Sequence, residues 1–132
     1  MISINEKTLK DLEFTTVLGT VASLCHTDLG IEKANAIQPF KHKEALLEAL
    51  HQTSEYLSSY TNNNAIPNHY FENLGNDLKL LAIEDSFLEV SAFKKIANLS
   101  ETSNTLLQFF KKFHDYYPSL NKKATDVFYT KE

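Results

Sequence analysis

The chain has 132 residues, 42% of them hydrophobic and 23% charged, which fits one folded domain and excludes disorder over most of its length. Three glycines and three prolines are too few for the turns of an all-β sandwich or a dinucleotide-binding α/β fold. The net charge of −4, with every basic residue a lysine, gives neither the positive field that phosphate neutralisation needs nor a planar bidentate contact to phosphate or guanine.

Apolar residues recur at steps of three and four, the period of an amphipathic helix. Phe14, Val17, Leu18, Val21, Leu24 and Cys25, extended backward by Leu9 and Leu12, predict a helix from Glu6 to Cys25 with Ser3 or Asn5 as its cap and Gly19 as a weak point. A short helix follows Asp28 as N-cap, through Ile31, Ala34 and Ile37 to Pro39. Leu46, Leu50, Thr53, Leu57 and Tyr60 make an a/d seam, which predicts a helix from Lys41 or His42 to the Asn62-Asn63-Asn64 run. That run, with Pro67 and Asn68, reads as a loop. Leu74 to Ile83 reads as a short helix and Phe87 to Val90 as extended chain. Ser91 then caps the longest helix, whose seam is Ile96, Leu99, Ser103, Leu106, Phe110, Phe113 and Tyr117. From Ser91 to Tyr116 such a helix has about 26 residues and a length of roughly 39 Å. That exceeds a compact domain of this size, so the helix should project or pair along another. Pro118 ends it, and Ser119 caps a last short helix reaching Phe128. The apolar cluster Val127-Phe128-Tyr129, followed only by Thr130-Lys131-Glu132, looks like an interrupted element. The expected fold is all-α: a single helical domain over residues 1–132, a bundle or array with one long projecting or paired helix.

Cys25 is the only cysteine, so an intrachain disulfide is excluded and a reducing compartment is compatible. The N-terminus lacks the basic and apolar regions of a signal peptide, and no stretch approaches the ~20 apolar residues of a membrane span. The expectation is a cytoplasmic chain with no membrane partner.

Chemistry-bearing patterns are sparse. Neither a phosphate-cradling nor a dinucleotide-binding glycine loop is present. Glu48-x-x-His51 matches half of a carboxylate-bridged di-metal motif, but no second copy exists, so it reads as a solvated face with Glu44 and Glu55. Cys25 and His26 are adjacent and point about 100° apart on a helix, which is no nucleophile dyad. Cys25 falls on the apolar stripe and reads as structural. Phe109, Phe110, Phe113, Tyr116 and Tyr117 stand beside Lys111 and Lys112, a composition that can stack bases, yet the aromatics lie on the packing seam. Lys94, Lys95, Lys111 and Lys112 are the candidate nucleic-acid contacts, and Lys122-Lys123 is a further basic pair. No catalytic, cofactor-binding or metal residue is assigned.

The blocks, taken in order, resemble the second bacterial MutS paralogue. Lys7-Thr8-Leu9-Lys10-Asp11-Leu12-Glu13-Phe14 is similar to that family's opening, Leu29-Gly30, Ala34 and Ile37-Gln38-Pro39 to its next block, and Ala45-Leu46-Leu47 to Thr53-Ser54-Glu55 to its following helix. Asn76-Asp77-Leu78 to Leu81, and Leu88 to Ile96 with Ser91, resemble two later helices, although Phe93 and Lys94 replace an acid and Asn62 to Pro67 replaces a glycine- and proline-rich loop. The resemblance implies a non-catalytic helical core-and-lever segment of a DNA-repair or anti-recombination ATPase. Its ATP, Mg, ATPase and nuclease parts would lie outside these residues. It further implies a homodimer whose parent acts on branched DNA or stalled ribosomes. A second reading is an independent helical adaptor that grips a partner helix through the Ile96–Tyr117 seam.

Overall fold

The computed structural model describes residues 4–129, and the fold is an all-α array that is 61% helical. Seven helices occur among the described residues, and no strand. They divide between two compact units, Met1–Leu46 and Leu47–Glu132. The candidate cap Ser3 and the terminal Thr130-Lys131-Glu132 lie outside the described residues.

In the first unit the expected single helix from Glu6 to Cys25 is two helices, α1 (Glu6–Asp11) and α2 (Phe14–Ser23). The break falls at Leu12 and Glu13 and not at Gly19. Glu13 sits in the left-handed region, with φ 50°. The reason is angular. In one continuous helix Leu9 would lie about 140–180° around from Phe14, Leu18 and Cys25. The corner lets all four become half-buried and Ala22 fully buried. Asn5 caps α1, its Oδ1 accepting from the Thr8 amide at 2.7 Å. The N-cap of α3 (Asp28–Asn35) is Thr27, not Asp28, and its hydroxyl oxygen accepts from the Gly30 amide at 3.0 Å. Gly30 sits close to the preceding connection: a Cβ would stand 3.0 Å from Thr27 Oγ1 and 3.4 Å from the Cys25 Cβ, so a side chain there would make the capping threonine shift slightly.

Helix α4 (Lys43–Ser58) runs out of this unit into the second, which also holds α5 (Gly75–Leu81), α6 (Val90–Lys112) and α7 (Pro118–Ala124). At 23 residues and about 34 Å, α6 starts one residue earlier than the spacing predicts and ends four residues sooner. Glu89, not Ser91, is its N-cap and makes no side-chain capping bond. At the other end Phe113 is the C-cap, and the chain turns through His114 to Tyr116 before Pro118 opens α7 at its first position. Proline suits that position because its missing N–H would have had no helical partner. The segment before α6 carries no strand: Asp85, with φ 61°, turns the chain, and Ser86 donates its hydroxyl to the Leu80 carbonyl.

Helix α4 leaves its hydrophobic pattern exposed. The seam residues Leu46, Leu50, Thr53, Leu57 and, just past the helix, Tyr60 are exposed, while Glu55 on the opposite face and Tyr56 on the flank are half-buried, followed by buried Ser59. Glu55 is therefore not part of a solvated face with Glu44 and Glu48. Among the described hydrophobic residues only Ala22, Ala34, Leu74, Ala92 and Tyr117 are buried.

The left-handed Glu13 carries a steric cost that glycine would not. Replacing it, Glu13→Gly, should stabilise the chain by about 1 kcal/mol, read as a higher midpoint in thermal melting; a lower midpoint would show that the corner is unstrained.

Candidate functional site

The long helix presents the expected seam in a graded form. Ile96, Leu99, Leu106, Phe110 and Phe113 are half-buried, and Tyr117 is 0% exposed. Tyr117 is not a turn of α6, however: it is the N-cap residue of α7, with φ −131° and ψ 54°. Its ring folds back onto the end of α6. Phe109, which the seam omits, is the centre of the resulting cluster, with ring centroids 5.5 Å from Phe110, 4.9 Å from Phe113 and 5.5 Å from Tyr117. Offset and edge-on aromatic pairs at these distances contribute about 0.5–1.5 kcal/mol each beyond burial.

The Tyr117 hydroxyl ends in a polar latch. It donates to Asn64 O and lies 3.1 Å from Asn62 Oδ1, so the asparagine loop is what satisfies the buried phenol. Beside it the Glu55 carboxylate of α4 accepts from the first free amides of α7, Ser119 N and Leu120 N, each at 2.9 Å. A carboxylate aimed at a helix N-terminus satisfies orphan donors and opposes the helix dipole. Spacing gave no signal for Glu55, because an acid on a helix looks the same whether it meets water or a distant backbone.

Next to the latch lies an apolar groove of about 330 Å³, floored by Ile66, Phe71, Leu99, Leu106, Phe110 and Leu120. Tyr56 and His69 form its polar edge. The Tyr56 hydroxyl is 3.3 Å from His69 Nε2 and 3.1 Å from the Tyr60 hydroxyl, and His69 Nδ1 is 3.0 Å from the Pro67 carbonyl. The hydrogen bond shared with Tyr60, then burial, then repulsion from Tyr60 push the Tyr56 phenol up to about 12. Its hydrogen-bond partners are one phenol, Tyr60, and one imidazole, His69.

The four candidate lysines do not form one stripe. Lys94 and Lys112 share a face five turns and roughly 27 Å apart, and between them run exposed Asn98, Glu101, Thr105 and Gln108. Lys95 is neutralised by two carboxylates, with Nζ 3.7 Å from Glu72 Oε2 and 3.6 Å from Asp77 Oδ2. Lys112 lies 5.0 Å from the Phe113 ring centroid. Lys111 and Lys112 stand in the last turn of α6, where their charge opposes the helix dipole.

Glu48 and His51 are both exposed, and Glu48 Oε1 accepts from Gln52 Nε2 at 3.3 Å. No cluster of three His, Cys, Asp or Glu side chains that could hold a metal occurs among the described residues. Cys25 is half-buried and donates to the Val21 carbonyl at 3.4 Å, while His26 is exposed. No described helix is long and apolar enough to cross a membrane. Compared with protein-family models, curated proteins and solved structures, the chain finds no match.

Two outcomes are expected of the latch and its neighbour. Tyr117→Phe, which keeps the ring and removes the hydroxyl, should cost about 1–3 kcal/mol in denaturant unfolding. Glu55→Gln should cost about 1–2 kcal/mol through the weakened cap. The raised Tyr56 phenol favours the folded state fully below the unfolded value near 10, and that contribution fades as pH rises toward 12. Tyr56→Phe should accordingly flatten the alkaline loss of stability in this window, and near-ultraviolet phenolate titration should lose its latest component.

Proposed function

We propose that this chain is the non-catalytic helical core-and-lever segment of a MutS-like ATPase, a protein of repair, anti-recombination or ribosome rescue. What carries the reading is the contrast between a thin interior and long apolar faces. Small or few residues are buried, while Leu46, Leu50 and Leu57 of α4 stand exposed and the long α6 seam is only half-buried. A segment that works inside a larger helical body has that character, since neighbouring helices complete its core. The order of the sequence blocks supports the same family. In this reading α6 is a rigid connector, and the latch at Tyr117 and Glu55 fixes the angle at which the chain leaves it. ATP and Mg belong to the parent's ATPase part, the working form is a homodimer, and the target is branched DNA or a stalled ribosome. The separated, partly neutralised lysines support a transmitting role over direct contact with nucleic acid.

The alternative is an independent adaptor whose apolar groove takes a partner helix, a reading favoured by the open floor at Leu99, Leu106 and Phe110.

The encoding reading frame distinguishes the two. A phosphate-binding Gly-x-x-x-x-Gly-Lys-Ser/Thr loop several hundred residues after Glu132, and ATP hydrolysis by the purified full polypeptide, are expected. A stop codon shortly after Glu132 would end the MutS-like reading and leave the adaptor. The 132-residue chain alone should bind duplex or branched DNA weakly at moderate salt, and tight binding in a gel-shift assay would contradict the transmitting role.

A further inference from the structure

A second depression, which adjoins the first groove through Ser103, Leu106, Phe110 and Leu120, differs from it in having lysines at its border. It lies between α6 and α7 in two adjoining parts that share Leu107, Ala124 and Val127. The wider part is about 820 Å³ and includes Lys111, and the narrower is about 260 Å³ and includes Lys123. No Asp or Glu lines either part among the described residues. Neither lysine stands in an ion pair with a described carboxylate, in contrast to Lys95. Between Glu101 and Asp126, the acids that bound this stretch, the chain carries Lys111, Lys112, Lys122 and Lys123 against a single Asp115, although its overall charge is −4. Asp115 is engaged with His114 at 3.2 Å. An apolar trough with a cationic border has thus been set into an otherwise acidic chain.

We infer that this trough is a docking site for a partner helix whose apolar stripe is flanked by aspartate and glutamate. The floor is too apolar for a nucleic-acid backbone, and no described strand edge offers itself to an extended peptide. From Ser103 to Lys111 the trough follows α6 for just over two turns, roughly 12 Å, which matches anchors at i, i+3 or i+4 and i+7 of a docked helix. Charge complementarity selects the occupant. Lys111 and Lys123 gain partners from acidic flanks, while the rest of the chain has an excess of acids over lysines. The inference does not rest on the MutS-like reading, and binding to the chain tests it without reference to ATPase activity.

The test uses the full chain and two synthetic helical peptides with the same leucine stripe, one flanked by Glu and one by Lys, followed by fluorescence anisotropy. The Glu-flanked peptide should bind at least about tenfold more tightly, with the advantage shrinking as salt rises. Lys111→Met with Lys123→Met should abolish the preference, and Lys111→Glu with Lys123→Glu should reverse it, in variants whose thermal melting matches the parent. Equal binding of the two peptides, binding of neither, or an unchanged preference in the folded variants would overturn the inference. So would concentration-dependent dimerisation that the Lys→Glu pair abolishes while the Glu-flanked peptide fails to compete, since a second copy would then be the occupant.

Discussion

The second unit depends on one carboxylate. Glu55 projects from α4 and accepts the amides of Ser119 and Leu120, which opens α7, while Tyr117 just before it fills the space against Phe109 and hands its hydroxyl to the asparagine loop. Three stretches far apart in sequence meet in that one place. Each alone is a weak element: α7 has seven residues, too few to be stable by itself, and the loop has no regular structure. Together they are fixed, because a buried phenol and a helix N-terminus both demand partners and each of the others supplies them. The aromatic cluster contributes the apolar half of the same junction.

Much of this architecture is written in the spacing of apolar residues, and the places where spacing fails have physical causes. The bounds of α4 and the body of α6 follow the three-four step closely. The break at Glu13 was invisible because a stripe judged by steps of three and four tolerates an angular drift that accumulates between Leu9 and Cys25. Tyr117 continues the seam numerically, but Pro118 is the stronger signal: it starts a helix, and the residue before it is held out of the helical conformation. The partners of Lys95 and Glu55 are not legible in the sequence, for one reason. A charged residue on a helix face carries no mark in sequence of the distant carboxylate or backbone amide that will meet it. Phe109 belongs to the aromatic cluster visible in the sequence but lies off the counted step, and its central place follows only from the turn after Lys112, which swings Tyr117 onto it.

The distribution of apolar surface sets the terms on which this chain exists in water. A large aliphatic side chain left exposed forgoes about 1.5–3 kcal/mol that burial would return. The leucine seam of α4, exposed along its length, and the two depressions beside α6 concentrate that unspent free energy on helix faces. The latch restrains the ends of these helices and not their outer surfaces, so the junction can stay rigid while the faces remain ready for a neighbour. Rigidity at a corner with open faces alongside is what a mechanical connector and a docking module share, which is why the two functional readings use the same residues.

The separation of the latch in sequence has a consequence for how the chain acquires its shape. Glu55 and the amides it holds are 64 and 65 residues apart. Closing so long a loop carries an entropy cost that is recovered only when the junction forms, whereas α4 and α6 need nothing beyond their own turns. On the ribosome, Glu55 emerges long before its partners and waits, with its helix, for residue 120. Until then the asparagine loop has nothing to hold. The amides of α7 should also be the first of the second unit to exchange their hydrogens with solvent, because releasing one short helix from one carboxylate reopens the loop without melting α6.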